Sequence, residues 1–274
     1  MKRFGFRFRI DGAGNTVTDS RNGGTVYAYD SAGRLASVTT GGVLQATYRY
    51  DVLGRQVLRT LVPSGVTIQS IFDSQGRRVA EYDQGTGALI REYVWLDWEP
   101  LAVIEGGAIF YVRADHVGRP VFATNATGAK VWTMSFDPFG TLIASTGNPI
   151  AARVPGRWFQ AESGLHQNWM RDYDPTTGRY IQPDPLGLID GASVYGYVRQ
   201  SPLMLTDPTG ECPWCAAALI VFAVTALTPD AANAPGLCDE IVELDEFAPC
   251  INGAVAGIVF WARLLGRSRI WCGL

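Results

Sequence analysis

The sequence predicts a mainly β protein assembled from antiparallel hairpins, and three observations carry that expectation. Glycine (31) and proline (15) are frequent among 274 residues and aromatics reach 11%, a mixture suited to turn-rich β structure rather than a helical bundle. A short tract recurs as YDSAGRL at 29–35, YDVLGRQ at 50–56, FDSQGRR at 72–78 and ADHVGRP at 114–120, with fainter copies IDGAGN at 10–15 and FDPFG at 136–140. Between these tracts the apolar residues Leu44, Ala46, Tyr48 and Tyr50 alternate with Gln45, Thr47 and Arg49, the period of a strand with one buried face.

Each repeat has a readable physical logic. The aspartates fall at 11, 30, 51, 73, 115 and 137, separated by 19 to 22 residues except for one double-length gap after 73; a fixed period in this range marks a repeat architecture. Aspartate at the first turn position bonds a backbone N–H two residues on, and glycine at the fourth relaxes the φ constraint. Aromatic residues before the turn and apolar ones after it suit strands. Gly-Gly or Ser-Gly pairs at 41–42, 64–65 and 106–107 supply the opposite turns. The Asp–Arg pairs of these turns are expected to be structural, with arginine covering an aromatic face or pairing with its aspartate.

On these residues the tract resembles the YD repeats of Rhs proteins, toxin-complex C subunits and teneurins. The resemblance implies a long β-sheet that curls into a hollow shell. Six or seven repeats are too few to close such a shell, so the resemblance implies a fragment, a truncated gene or one wall of a larger cage.

Residues 151–210 form a second segment after the repeat region 1–150. Five ordered motifs (DHxGxP, PGxxxxxxxGL, RxYDPxxGRY, PDPxGL and PxxxxDPxG) across residues 111–210 closely resemble the Rhs repeat-associated core. That resemblance implies an intramolecular aspartyl protease acting once on its own chain, in which two carboxylates share a proton as base and acid. Matched by motif, Asp184 in PDPLG and Asp172 in RDYDP are the expected carboxylate pair, with Arg171 as the supporting cation. Asp207, Pro208, Gly210 and Glu211 form the expected cleavage region, Asp207 shaping the turn. The family motif ends in leucine where this chain has Glu211, a departure that bears directly on whether the bond is cut. Asp174 reads as a turn former, as do Asp-Pro pairs generally. His116 and His166 stand 50 positions apart without companion ligands, so no metal site and no cofactor is expected.

The tail, 211–274, differs in character. All five cysteines lie in it, and it holds seven acidic residues against three arginines, while the rest of the chain is nearly balanced. By the resemblance it is a variable cargo, released from and held by the shell, with an immunity protein and a delivery or secretion machine as partners. Its residues 212–228 carry no charge over 17 positions, a helix of about 25 Å against about 30 Å of hydrocarbon, and a second apolar run follows at 247–262. A partly helical hairpin inserting into a membrane, a small soluble domain and an inert remnant remain open readings. An enzymatic tail is disfavoured, because it lacks histidine and lysine. Cys212 and Cys215 have CxxC spacing without the surrounding pattern of a redox or zinc site.

The net charge of −3 and pI near 5.4 give no global case for nucleic acid binding. The N-terminus has early positive charge but no apolar run of a signal peptide, so an exported effector would use another route. Two functions follow. One is a self-processing toxin scaffold that encloses and frees a tail effector for antagonism of bacteria or hosts. The other is a non-enzymatic structural module whose aromatic side chains bind carbohydrate or another surface.

Overall fold

In the computed structural model, residues 8–21, 24–188 and 191–211 are described, all of them within one compact unit, Met1–Glu211. The expectations for the tail fall on residues 212–274, outside the described residues. Regular structure among the described residues is almost wholly antiparallel β, as the repeats predict, with one short 3-10 turn at Val198–Gln200.

Fourteen strands, β1 (Phe8–Ile10) to β14 (Leu142–Thr146), form one sheet in strict chain order. Every connection is a hairpin, so each strand needs only its neighbour in sequence to satisfy its ladder. The sheet is open, with β1 and β14 at its two edges, and the curl of a closed shell is not reached.

The repeated tracts are the turns along one margin. At Asp11, Asp30, Asp51, Asp73 and Asp115 the aspartate Oδ1 accepts the N–H groups two and four residues on, as with Ala32 (2.9 Å) and Arg34 (3.0 Å) onto Asp30 and Leu53 and Arg55 (both 2.9 Å) onto Asp51, and Asp137 accepts that of Thr141. The arginine then ties the repeats together. Arg55 Nε donates to its own Asp51 at 2.7 Å, and its Nη1 donates to the carbonyl of Asp73, in the next turn, at 3.1 Å. Arg34 reaches Asp51, Arg77 reaches Asp97 and Arg119 reaches Asp137 in the same way. Asp97 therefore occupies the double-length gap in the repeat: the hairpin is present there, but as a tight turn with Asp97 at φ 48° and no Gly-Arg.

A bulge follows these turns. Tyr29 pairs with Leu35 while Ala28 pairs with Ser37, and the same skip recurs after Tyr50, Phe72, Ala114 and Phe136. Bulges of this kind increase local twist. One more bulge corrects a sequence expectation. Val38 pairs with Ala46 but Thr39 pairs with Leu44, so the alternation breaks at Gln45 and Leu44 turns outward while Ala46 and Tyr48 stay buried.

Residues 147–211 fold back over the sheet. A small four-stranded sheet, β15 (Trp158–Gln160), β16 (Leu165–Asn168), β17 (Arg171–Asp174) and β18 (Arg179–Tyr180), lies at its centre. It packs on the large sheet through two apolar clusters: Trp158 joins Tyr93, Val103 and Trp132, while Leu165 and Ile181 join Leu35, Val38, Ala46 and Tyr48. Polar links complete the join, including Gln160 Nε2 to Gln56 at 2.5 Å, Tyr48 to Glu162 at 3.0 Å and the Arg21–Asp174 ion pair at 2.5 Å. A third cluster of Tyr173, Tyr180, Tyr197 and Val198 lies within the folded-back segment itself.

Candidate functional site

Strand β17 reads Arg-Asp-Tyr-Asp, and its pleat decides where each side chain goes. Successive residues point to opposite faces. Arg171 and Tyr173 therefore share the face of the tyrosine cluster, where the guanidinium stacks 3.7 Å from the centre of the Tyr180 ring. Asp172 and Asp174 take the other face.

Two turns of the same form, Asp184-Pro-Leu-Gly187 and Asp207-Pro-Thr-Gly210, bring carboxylates to that arginine. In the first, Asp184 Oδ1 accepts the N–H of Leu186 at 2.8 Å, and Oδ2 is left for Arg171 Nη2 at 2.9 Å. In the second, Asp207 Oδ1 accepts the N–H groups of Gly210 (2.9 Å) and Glu211 (3.1 Å). Its Oδ2 accepts from the Tyr180 hydroxyl at 2.8 Å and lies 3.4 Å from Arg171 Nη2. One local motif thus spends one carboxylate oxygen on its own turn and offers the other to a shared cation.

The chain end leading to the tail is seated in the same place. Met170 N–H donates to the Thr209 carbonyl at 3.1 Å, and Asn168 donates to the Asp207 carbonyl at 2.9 Å. Arg171 Nε donates to the Gly210 carbonyl, and Nη2 donates to the Glu211 carbonyl at 3.1 Å. Gly210 adopts φ 72° directly over the Asn168 carbonyl, a position in which a Cβ would overlap that oxygen. This approach therefore requires glycine.

The electrostatics are those of two carboxyls around one guanidinium in a largely dry setting. Arg171, Asp184 and Asp207 side chains are 1%, 4% and 0% exposed. Burial holds Asp184 above its ordinary range, with Asp207 adding to the effect and Arg171 opposing it. Burial likewise raises Glu211, reinforced by the neighbouring Asp207 and Asp184. Two carboxylates, a cation and a peptide carbonyl within bonding reach are the groups that acid–base hydrolysis of an amide requires.

Of the predicted site residues, Arg171 and Asp184 come together with the predicted cleavage region. Asp172 does not join them. It lies on the far face of β17, where its Oδ2 accepts from Gln182 Nε2 at 2.7 Å and its Oδ1 has no hydrogen-bond partner. The carboxylate that meets Asp184 across Arg171 is Asp207, expected only to shape the turn. The signal available in the sequence was the identity of the two DPxG turns. Pro208 packs against Gly156, where a Cβ would overlap the Pro208 backbone. His166 is buried and kept neutral, its pKa lowered by burial and by Arg157 and Arg153; His116 Nε2 lies 2.9 Å from the Leu203 carbonyl. Among the described residues no cluster of His, Cys, Asp and Glu is arranged to hold a metal, and no helix is long and apolar enough to cross a membrane.

The profile of the teneurin YD-shell family matches residues 2–191. The chain belongs to the YD-shell family. Similar proteins include double-stranded DNA deaminase toxin A of Burkholderia cenocepacia, 30% identical over 241 residues, which cover 74% of this chain and 17% of that protein. Toxin protein Tse5 of Pseudomonas aeruginosa is 29% identical over 75% of this chain and 19% of its own length. The chain thus spans less than a fifth of these two relatives. Among solved structures, the Photorhabdus luminescens Tc holotoxin pore carrying a TccC3 mutation superposes with a TM-score of 0.60 at 19% identity, over 74% of this chain and 11% of that one. The YD-shell scaffold described here is therefore of the kind found in several bacterial toxins.

Proposed function

We propose that this YD-shell segment is the self-processing end of a toxin scaffold, which cuts its own backbone next to Glu211 and so frees the residues that follow. The observation that carries the reading is that a single nitrogen, Arg171 Nη2, contacts Asp184, Asp207 and the Glu211 carbonyl oxygen. The link between Glu211 and Cys212 fits best as the scissile bond. The preceding link, Gly210–Glu211, has its N–H donated to Asp207, which holds its nitrogen in the turn rather than presenting it to an acid.

In this mechanism Arg171 polarises the Glu211 carbonyl and steadies the oxyanion that forms on it. One of the two aspartates removes a proton from water as the water oxygen bonds to the carbonyl carbon. The other, protonated, gives its proton to the Cys212 nitrogen as the C–N bond breaks. Holding the bond in the site within one chain gives it a high effective concentration, so a modest catalyst suffices. No cofactor is needed.

By analogy with the toxins it resembles, the scaffold serves delivery of an effector into another cell. A delivery machine and an immunity protein for the producer are then the implied partners, and the tail is held by the shell until release. The surface-binding alternative draws less support from the repeats, because Tyr27, Tyr48, Tyr93 and Trp132 are turned inward and buried, leaving Phe8 and Tyr111 exposed. The test is to express the chain and sequence any small fragment from its N-terminus. A tail beginning at Cys212, with two masses summing to 29.8 kDa plus one water, supports the reading. An intact chain under all folding conditions overturns it.

A further inference from the structure

We propose that Tyr180 is a positioning residue of the cleavage site: its hydroxyl, turned by Asn168, holds Asp207 as the ionised carboxylate and so makes Asp207 the base and Asp184 the acid. This rests on the self-processing reading above and assigns the two aspartates their parts in it.

The direction of each bond in this chain follows from donor chemistry. A backbone carbonyl can only accept, so the Asn168 atom 2.9 Å from the Asp207 carbonyl is the amide nitrogen. That same Nδ2 donates to the Tyr180 oxygen at 2.7 Å. With its oxygen accepting from Asn168, the hydroxyl turns its one proton to Asp207 Oδ2, 2.8 Å away. Asn168 and Tyr180 are both buried, so water does not compete for this proton. Burial, reinforced by Asp207, holds the phenol well above its ordinary range and keeps it a donor. The ring is fixed as well. Arg171 stacks 3.7 Å from its centre, and the Tyr173 and Tyr197 rings meet it edge-on with centres 5.6 Å and 6.0 Å away.

The two aspartates are unequally served. Asp207 accepts the N–H groups of Gly210 and Glu211 on Oδ1 and the Tyr180 hydroxyl on Oδ2, with Arg171 at 3.4 Å. Asp184 accepts the N–H of Leu186 and has Arg171 at 2.9 Å. Donors aimed at a carboxylate favour its charged form. In a pair that shares one proton, the better-served member gives it up and the other keeps it. Burial holds Asp184 above its ordinary range, which points the same way. The charged and titratable groups around Asp207 are Arg171 from β17, Tyr180 from β18, Asp184 from the PDPLG turn, Tyr197 beside the 3-10 turn with Arg157 stacked on it, and Glu211 in its own turn. Asp207 then takes a proton from water as the water oxygen bonds to the Glu211 carbonyl carbon. Asp184 gives the shared proton to the Cys212 nitrogen as the C–N bond breaks.

The test is the pH dependence of the cleavage rate in Tyr180→Phe, which keeps the ring under Arg171 and removes the hydroxyl. Full-length chains unfolded in urea are diluted into buffers from about pH 4 to about pH 9, and the appearance of fragments is followed, with tryptophan fluorescence reporting folding separately. Cleavage rises as the base ionises. Loss of a donor to Asp207 should therefore move the acid limb up by about one pH unit, hence about tenfold slower cleavage on that flank, with the alkaline limb unmoved. The Tyr173 hydroxyl belongs to the same cluster but donates to the Phe139 carbonyl, so Tyr173→Phe should leave both limbs where they are. A ring-fluorinated tyrosine at position 180, a stronger donor of nearly the same shape, should move the acid limb down, and it decides the matter if Tyr180→Phe does not fold. An acid limb that stays in place in a folded Tyr180 variant, a shift of the alkaline limb instead, or an equal shift in Tyr173→Phe would overturn the inference and leave self-processing intact. A wild-type chain that folds and stays whole at every pH would overturn both.

Discussion

Arg171 donates to Asp184 at 2.9 Å with both side chains almost wholly removed from water. The same guanidinium also serves Asp207 and the carbonyls of Val194, Gly210 and Glu211. It is thus both the structural hub of the folded-back segment and the cation of the proposed site.

Arg171→Ala should therefore cost fold as well as chemistry. Removing the cation strands two buried carboxylates, and breaking a buried pair in this way costs about 3–5 kcal/mol. Urea unfolding followed by tryptophan fluorescence should show a lower midpoint, and no cleavage should be detected in chains that remain folded. An unchanged midpoint would mean that the carboxylates have other partners.

Gly210→Ala separates fold from positioning. The φ of 72° and the overlap of a Cβ with the Asn168 carbonyl should displace the Asp207–Glu211 turn at a cost of about 1–3 kcal/mol. The sheet does not depend on this turn, so the protein should still fold, while cleavage falls at least tenfold. Wild-type cleavage in this variant would show that the seating of Gly210 on Arg171 is not required.

Much of this was legible from residue spacing. The hairpin repeats, their Asx turns and the opposite glycine turns follow from local chemistry that each tract carries by itself. The bulge at Gln45 did not follow, because it depends on pairing with β4 (Leu35–Thr40). Nor did the hairpin at Asp97, which keeps the repeat's place without its Gly-Arg. At the site, Asp184 and Arg171 stood out by motif. That Asp207 rather than Asp172 lies against Arg171 was hidden because adjacency to Arg171 in sequence means opposite faces in a strand, whereas Asp207 arrives from 36 residues away.

Asp172 should reveal itself through pH-dependent stability. Burial, reinforced by Glu162 and opposed by the Gln182 hydrogen bond, pushes its pKa up to about 7. The folded state then keeps a proton that the unfolded chain has already lost, so this group costs nothing below its ordinary pKa near about 4. The cost grows as pH rises and levels off above about 7, so stability falls across that window. In Asp172→Asn this part of the slope should vanish, leaving the variant more stable than wild type at about pH 8 by on the order of 4 kcal/mol. Parallel stability curves for the two proteins would contradict the assignment.

The arginine ladder makes a prediction for the repeats. Arg55→Ala removes the link to Asp51 and the hydrogen bond to the Asp73 carbonyl, and should cost about 1–2 kcal/mol. Asp51→Asn keeps an oxygen for the N–H groups of Leu53 and Arg55 and should cost less. Equal effects would mean that the inter-repeat bond contributes little beyond the turn.

The most direct test of the central claim is the intact mass of four purified chains: wild type, Asp184→Asn, Asp207→Asn and Asp172→Asn. The geometry around Arg171 predicts that wild type and Asp172→Asn are cut next to Glu211, while Asp184→Asn and Asp207→Asn remain whole. A cut Asp207→Asn beside a whole Asp172→Asn would contradict it.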